Sequence, residues 1–538
     1  LSRYEGLWGI PEPFVASLFS DQAVARLRVD GLSRFESIAY LSAARAIGES
    51  GLDVRSERMV LILSSTKGNV GRLAQGAAES DLSLAVSAQR IADRLGITSQ
   101  PLVVCNACIS GVAAIVLAQR LLDAGRYDYA VVCGADVQCR FTVTGFQSLK
   151  ALSAEPCRPF DIERLGLNLG EAAATIVFGR DGRSGRHARA DWHVLAGAIH
   201  NDAYHISSPS KDGEGARRCL EDVLGYADTG DLAFINAHGT ATMFNDQMES
   251  VAIERSGLSD VPVNALKGYF GHTLGAAGVL ETIVSRAALN SHIIIGTRGY
   301  DERGVSGRIH IVTTATPTRK GSFIKMISGF GGCNGAILVS RRPCVAALAQ
   351  VLVPAMRTVH RVHITPGSAA VDGQSLACDG VGKALLTDIY KRYLGNYPKY
   401  YKMDGLSRLG FVAAQLLVKA EGDTAHDSDR AVILFNRSAS LVADRAYEST
   451  VSGDSGCYPS PSAFVYTLPN IVAGEIAICN GYRGETSFYI LGQRDEALMH
   501  DIVGATLAGN GAGSVITGWI DYPSDDQFEA VLEVRGKR

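Results

Sequence analysis

Apolar runs of strand length and apolar stripes at helical spacing take turns along the chain. A helical stripe is predicted from Ser33 through Phe35, Ile38, Ala39 and Leu41 to Ala46, followed by a strand over Met59–Leu63. The β-branched run at Val103 and Val104 passes through small residues into a stripe that continues through Ile115, Leu117, Leu121 and Leu122. A buried strand is therefore expected to bend sharply into a helix, with Cys108 at the turn. Further strands are predicted over Tyr129–Asp136, from the Gly170 turn to Phe178, from Phe234 towards His238, and over Ala336–Val339. Strands alternating with helices predict an α/β architecture with much parallel sheet.

From Arg341 the pattern changes and then starts again. An Ala-, Leu- and Val-rich stretch over 345–356 is predicted to be a connecting helix, too short to span a membrane. Val359–Thr365 reads as a strand, and Asp404-Gly405-Leu406-Ser407-Arg408-Leu409 repeats Asp30-Gly31-Leu32-Ser33-Arg34-Phe35. Ala431–Phe435 parallels the strand at Met59, and Ala508-Gly509 with Val515–Gly518 parallels Ala124-Gly125 with Val131–Gly134. An ungapped match of these last pairs sets Gly492 opposite Cys108, with Gln493 beside it, so the repeat carries no Cys at its turn. The expected organisation is a first unit over 1–340 with halves 1–180 and 181–340, a linker over 341–358, and a half-unit over 359–538.

The length of 538 residues exceeds what one simple core holds. Lys and Arg total 52 against 55 Asp and Glu, which gives no whole-chain reason to expect nucleic acid or an anionic membrane as partner. Eleven Cys in so long a chain do not make a disulfide scaffold, and Cys105 and Cys108 lack the second pair of a zinc site. With no secretory apolar region, the reducing cytoplasm is the expected compartment. The chain opens on Leu1 and not on Met, so its numbering can begin inside the natural protein. The loop Ser64–Asn69 holds Gly68 without the spacing of a phosphate-binding loop and reads as an ordinary connection.

At a strand-to-helix turn, free backbone N–H groups and the positive helix pole favour thiolate over thiol, which makes Cys108 the candidate nucleophile. Cys105 reads as a buried structural residue. His238 falls at the carboxyl end of an apolar strand, where α/β folds keep functional groups. His272 lies in Lys267-Gly268-Tyr269-Phe270-Gly271-His272, a small-residue segment continuing to Glu281, and Gly329-Phe330-Gly331-Gly332 is a Gly-rich loop before a strand. Any one of these is more often a packing feature than a catalyst.

In this order, and with Pro156-Cys157-Arg158-Pro159-Phe160-Asp161 between them, these segments resemble the β-ketoacyl-acyl carrier protein synthases of the thiolase superfamily, from about Pro11 to Ser340. The resemblance implies a thiolase-like layered αβαβα fold, followed by an additional thiolase-like half-domain. It implies that Cys108 takes an acyl group from the phosphopantetheine arm of an acyl carrier protein. His238 and His272 would stabilise the enolate formed by malonyl decarboxylation, and the backbone N–H groups of Cys108 and Phe330 would form a separate oxyanion hole. Lys267 and Glu281 would keep His272 oriented and fix its charge, Thr240 and Thr242 would contact the pantetheine arm, and Phe330 would gate the acyl pocket. No metal or organic cofactor is implied beyond the carrier's arm. One departure stands out: nothing in Leu1–Pro11 supplies the family's opening strand, so the first sheet is expected either to have a bare site or to be completed by another segment.

The half-unit resembles the chain-length-factor partners of aryl-polyene and polyketide-like pathways. It is expected to cover the dimer face of the first unit as a built-in pseudo-dimer, and the alternatives are a degenerate duplicate that only packs, or a homodimer of the first units. Three functions follow: an elongating 3-oxoacyl synthase for a polyene or polyketide-like product, a fatty-acid elongation synthase, and a non-enzymatic carrier-docking scaffold.

Overall fold

A computed structural model describes residues 1–55, 58–180, 191–343, 353–422, 427–452, 459–509 and 511–537. The predicted first helix spans Arg34–Ser50. Ser33 Oγ accepts from the Glu36 N–H at 3.1 Å while the Glu36 carboxylate accepts from the Ser33 N–H at 2.8 Å, and left-handed Gly51 ends the helix. Its sequence repeat forms the helix Gly405–Glu421, capped by the Asp404 carboxylate and closed by Gly422. Met59–Ser64 is buried at every position between the parallel strands Leu102–Val104 and Tyr129–Asp136. Helices cover both faces of these strands, which is why they are continuous apolar runs and not alternating ones.

Two large sheets organise the described residues. The six-stranded sheet has the order His310–Ile311, Pro262–Asn264, Leu232–Asn236, Ser322–Gly329, Cys333–Ser340, His193–Asn201. The other has eleven strands. From one edge, its repeat side runs Gln374–Ser375, Ser368–Val371, Met356–Thr365, Gln527–Lys537, Ser514–Ser524, Ala431–Asn436 and Thr486–Ile490; Leu102–Val104, Met59–Ser64, Tyr129–Asp136 and Ala172–Gly179 complete it. Helices Ser110–Asp123 and Ala277–Asn290 lie between the sheets, while Arg34–Ser50 and Glu214–Leu224 cover their outer faces. This is the thiolase-like layering of helix, sheet, helices, sheet and helix. The two central helices cross closely because both contact points are Gly: a Cβ on Gly111 would stand 2.8 Å from the Val279 nitrogen.

The repeat joins the first unit through one strand pair. Thr486–Ile490 runs antiparallel to Leu102–Val104, with Tyr489 opposite Val104 and Ile490 opposite Val103. Two buried ion pairs flank the seam, Arg120 with Glu485 at 2.7 Å and Lys67 with Asp444 at 3.0 Å.

In the repeat, the strand Met356–Thr365 pairs with Gln527–Lys537. The equivalent place in the first unit is beside Ala172–Gly179, which is an edge strand among the described residues. The N-terminal strand Ser2–Tyr4 pairs with Phe14–Ser17, which pairs with Leu169–Gly170 in a separate small sheet, so they do not complete this edge. Most of the connecting helix expected over 345–356 lies outside the described residues, and Met356 already opens a strand. Among the described residues, no helix is long and apolar enough to cross a membrane.

Candidate active site

The strand Leu102–Val104 ends in a turn held from the opposite side of the seam. Asn106 Nδ2 donates to the Thr486 carbonyl at 2.9 Å, and its Oδ1 accepts from the Phe488 N–H at 2.8 Å. Ala107 takes a positive φ of 47°, a conformation an L-residue holds only when its surroundings fix it. Cys108 sits in the following 3-10 turn, and Ser110 opens the long helix. Cys108 is 9% exposed, and burial pushes its thiol pKa up to about 12, the opposite of the helix-terminus expectation. Loss of water outweighs the helix pole because a thiolate here would have little solvent. Cys105, fully buried, is pushed up to about 12 as well.

His238 follows the strand Leu232–Asn236, and the backbone N–H groups of His238 and Gly239 donate to the Glu249 carboxylate at 2.6 and 2.7 Å. His272 stands between the short helix Lys267–Phe270 and the helix Ala277–Asn290. Its backbone N–H donates to the Asn168 carbonyl at 2.7 Å, and its Nδ1 accepts from the Leu274 N–H at 3.2 Å, so in the neutral ring the proton is on Nε2. His272 Nε2 and His238 Nδ1 are buried with no hydrogen-bond partner among the described residues. The rings meet edge to face with centroids 5.0 Å apart. The Cys108 Sγ and one ring nitrogen from each His all lie within 4.8 Å of one another. Thiolate and imidazole donors at this spacing also suit a zinc-sized ion.

Burial, then the nearby charges of Lys267 and Lys325, hold both imidazoles well below the ordinary His range, so both are neutral. Lys267 Nζ donates to Glu281 and to the His238 carbonyl, each at 2.7 Å. Of the expected pair, Lys267 contacts the His238 carbonyl and Glu281 contacts Lys267, while the His272 ring is oriented by the Leu274 N–H of its own turn and the charge of Lys267 helps to keep it neutral. Lys325, not among the expected residues, donates to the other Glu281 oxygen and to the Ala237 carbonyl. Burial works to raise the Glu281 pKa, yet the two ammonium groups hold it below the usual carboxylate value. Lys325 carried a signal in the sequence, a lone Lys inside the apolar strand Ser322–Gly329. Glu249 carried none, being one acid on a polar helix.

A cavity of about 350 Å³ is lined by Cys108, His238, His272, Thr240, Thr242 and Phe330. The Thr240 and Thr242 hydroxyls are 2.8 Å apart. Phe330 stacks on Phe146, and a Cβ on Gly329 would meet the Cys108 nitrogen at 3.2 Å, so this loop lies directly against the nucleophile turn. Cys108, His238, His272, Phe330 and the two Thr thus come together around one space, and Lys267 and Glu281 are not among its lining residues. Gln493 does not join them; with Gly492 it lines a larger cavity of about 870 Å³ beside Lys67 and Asp444, which holds neither the Cys nor the His pair.

Residues 21–182 match the family described as Beta-ketoacyl synthase, N-terminal domain, and residues 193–301 match Beta-ketoacyl synthase, C-terminal domain. The chain is 35% identical over 253 residues to 3-oxoacyl-[acyl-carrier-protein] synthase 2 of Rhizobium meliloti (strain 1021), covering 44% of this chain and 60% of that protein's length. It is 32% identical over 348 residues to the Tetracenomycin polyketide synthase ketoacyl synthase alpha subunit of Streptomyces glaucescens, covering 57% of this chain and 81% of that one. The solved structure of the PfaC Keto synthase-Chain length factor superposes with a TM-score of 0.73 over 94% of this chain and 69% of that one, at 14% identity, a likeness of fold alone.

Proposed function

The chain belongs to the β-ketoacyl synthase family, and from that premise we propose that it catalyses decarboxylative condensation of a malonyl thioester with an acyl group held on Cys108. The observation that carries this reading is the meeting of one thiol and two neutral imidazoles within 4.8 Å in a lined cavity. A neutral imidazole can accept the Cys108 proton as the sulfur attacks the acyl thioester of an acyl carrier protein's phosphopantetheine arm, and the arm leaves as a thiol. The N–H groups of Cys108 and Phe330 would stabilise the oxyanion of that step. Malonyl thioester then loses carbon dioxide, and the electron pair left behind becomes an enolate whose oxygen accepts from His238 and His272. Lys267, Lys325 and Glu281 place a buried positive charge beside them, which keeps the rings neutral and able to donate. The enolate carbon attacks the Cys108 thioester and releases a 3-oxoacyl thioester. Thr240 and Thr242 line the same cavity and would hold the arm. No metal or organic cofactor takes part in these steps.

The second part of the proposal concerns residues 359–538, which we read as a chain-length-factor-like partner joined by the 341–358 linker, in aryl-polyene or polyketide-like elongation. Its strand occupies the free edge of Leu102–Val104, and the sequence match sets Gly492 opposite Cys108. Phe464 from this region packs on Phe141 and Phe146, and a Cβ on Gly145 would collide with its ring. Phe464 thus packs against Phe146, which lines the cavity. Fatty-acid elongation is the alternative, and it gives the repeat no role.

Incubation with acyl- and malonyl-carrier proteins, read by intact mass, tests both parts. Cys108→Ala is expected to abolish acylation and condensation, and His238→Ala or His272→Ala to slow decarboxylation about 100-fold or more. Phe464→Ala is expected to shift products to longer chains. Full condensation by the Cys108→Ala protein would refute the reaction, and unchanged chain lengths would refute the role of the repeat.

A further inference from the structure

Asn470 stands just before the helix Ile471–Asn480 and makes no capping hydrogen bond to it. An Asn in that place ordinarily satisfies a free N–H of its own helix. This one is 4% exposed and instead sends its Nδ2 across the seam to the Phe330 carbonyl at 2.8 Å. Its Oδ1 has no partner among the described residues. The amide cannot be turned the other way without setting two oxygens against each other, so the donor assignment is firm. The two backbones also fit through missing side chains: a Cβ on Gly331 would meet Asn470 Nδ2 at 2.7 Å, and one on Gly474 would meet the Gly331 oxygen at 2.6 Å.

The rest of the loop is held from the first unit. Gly331 N–H donates to the Ile206 carbonyl at 2.7 Å, Asn201 Nδ2 donates to the Gly331 carbonyl at 2.8 Å, and Asp202 N–H donates to the Gly332 carbonyl at 2.7 Å. Among the described residues, the Phe330 carbonyl receives the Asn470 amide and otherwise only the weak Cys333 thiol donor at 3.2 Å. The matching helix of the first unit, Leu84–Leu95, behaves differently. Its Ser83 caps its own helix through the Val86 N–H, beside the larger cavity.

We propose that Asn470 is a positioning residue for the Cys108 site, contributed across the seam: it fixes the Phe330–Gly331 peptide and so the setting of the Phe330 ring over the cavity. This deepens the proposed condensation and rests on it. The loop it holds faces the nucleophile turn, whereas His238 and His272 are anchored through Glu249, Lys267 and Asn168, none of which touches Asn470. Its loss is therefore felt in loading of Cys108 and not in decarboxylation.

The test uses the full chain carrying Asn470→Asp, which replaces the donor by an acceptor at the same size, and Asn470→Ala, which covers a folding failure of the first. Asn480→Ala, at the far end of the same helix, is the control. Acylation of Cys108 by acyl-carrier protein is expected to fall about tenfold or more while malonyl-carrier decarboxylation stays within about twofold. Alkylation of Cys108 by iodoacetamide, which needs no carrier, is expected to change about fivefold or more. Acylation and alkylation both within about twofold of the parent, or equal losses in acylation and decarboxylation, would overturn the proposal. If the parent chain takes no acyl group from any carrier, the condensation reading fails, and the alkylation rates still decide the role of Asn470.

Discussion

At the scale of single residues, the proposed nucleophile Cys108 is a thiol at rest beside two imidazoles that are uncharged at rest. Because burial raises the Cys108 pKa to about 12, the thiolate fraction grows with each unit of pH below that value. Iodoacetamide alkylation of Cys108 is therefore expected to rise about tenfold per pH unit from pH 7 to 9 without levelling. A plateau near pH 8 would mean the helix pole governs the thiol after all. The imidazoles shift in the other sense: burial and neighbouring ammonium groups lower them, so protonation sets in only well below the free value of about 6.5. Decarboxylation is then expected to run level between about pH 6 and 8, where an unshifted His would lose its neutral form on the acid side. Progress curves of carbon dioxide release across that range measure it. Cys108 and His238 were legible in the sequence because their flanking patterns place them at strand ends, whereas His272 was marked by the resemblance of its Lys267-to-Glu281 segment to the family's motif. The charge states were not, since they depend on how much water the finished fold excludes.

At the scale of elements, the site hangs on strand ends and on the Lys267, Glu281 and Lys325 cluster beneath them. All three side chains are fully buried, so removing one cation leaves the carboxylate and its neighbours poorly compensated. Lys325→Met is expected to lower unfolding free energy by about 3 kcal/mol, read by urea denaturation. A loss under about 1 kcal/mol would show the cluster is held by Lys267 alone. The helices at Arg34 and Gly405 and the strands at Met59 and Ala431 appear close to where the apolar spacing puts them, because cap and periodicity act within a few residues. The pairing of Lys325 with Glu281 could not be read from the sequence, because the two are 44 residues apart in the chain and on different elements.

At the scale of the whole molecule, one strand pair turns two chain regions into one sheet. Thr486–Ile490 occupies the edge of Leu102–Val104, so a second copy cannot pair there. Mass photometry of the full chain is expected to show a particle of 57.1 kDa, and a stable dimer that survives removal of 359–538 would refute the built-in partner. The sequence by itself determined the alternation of strands and helices, the inventory of one Cys and two His at turns, and the restart of the pattern after residue 341. All of these are local spacings that hydrophobic periodicity and turn chemistry can express within a short window. Only the tertiary structure decided that the Cys108 thiol stays protonated, that Lys325 shares Glu281, that the edge beside Ala172–Gly179 stays unpaired among the described residues, and that Asn470 reaches Phe330 from 140 residues away. Desolvation and long-range contact are properties of the closed chain path, and no short stretch of sequence contains them.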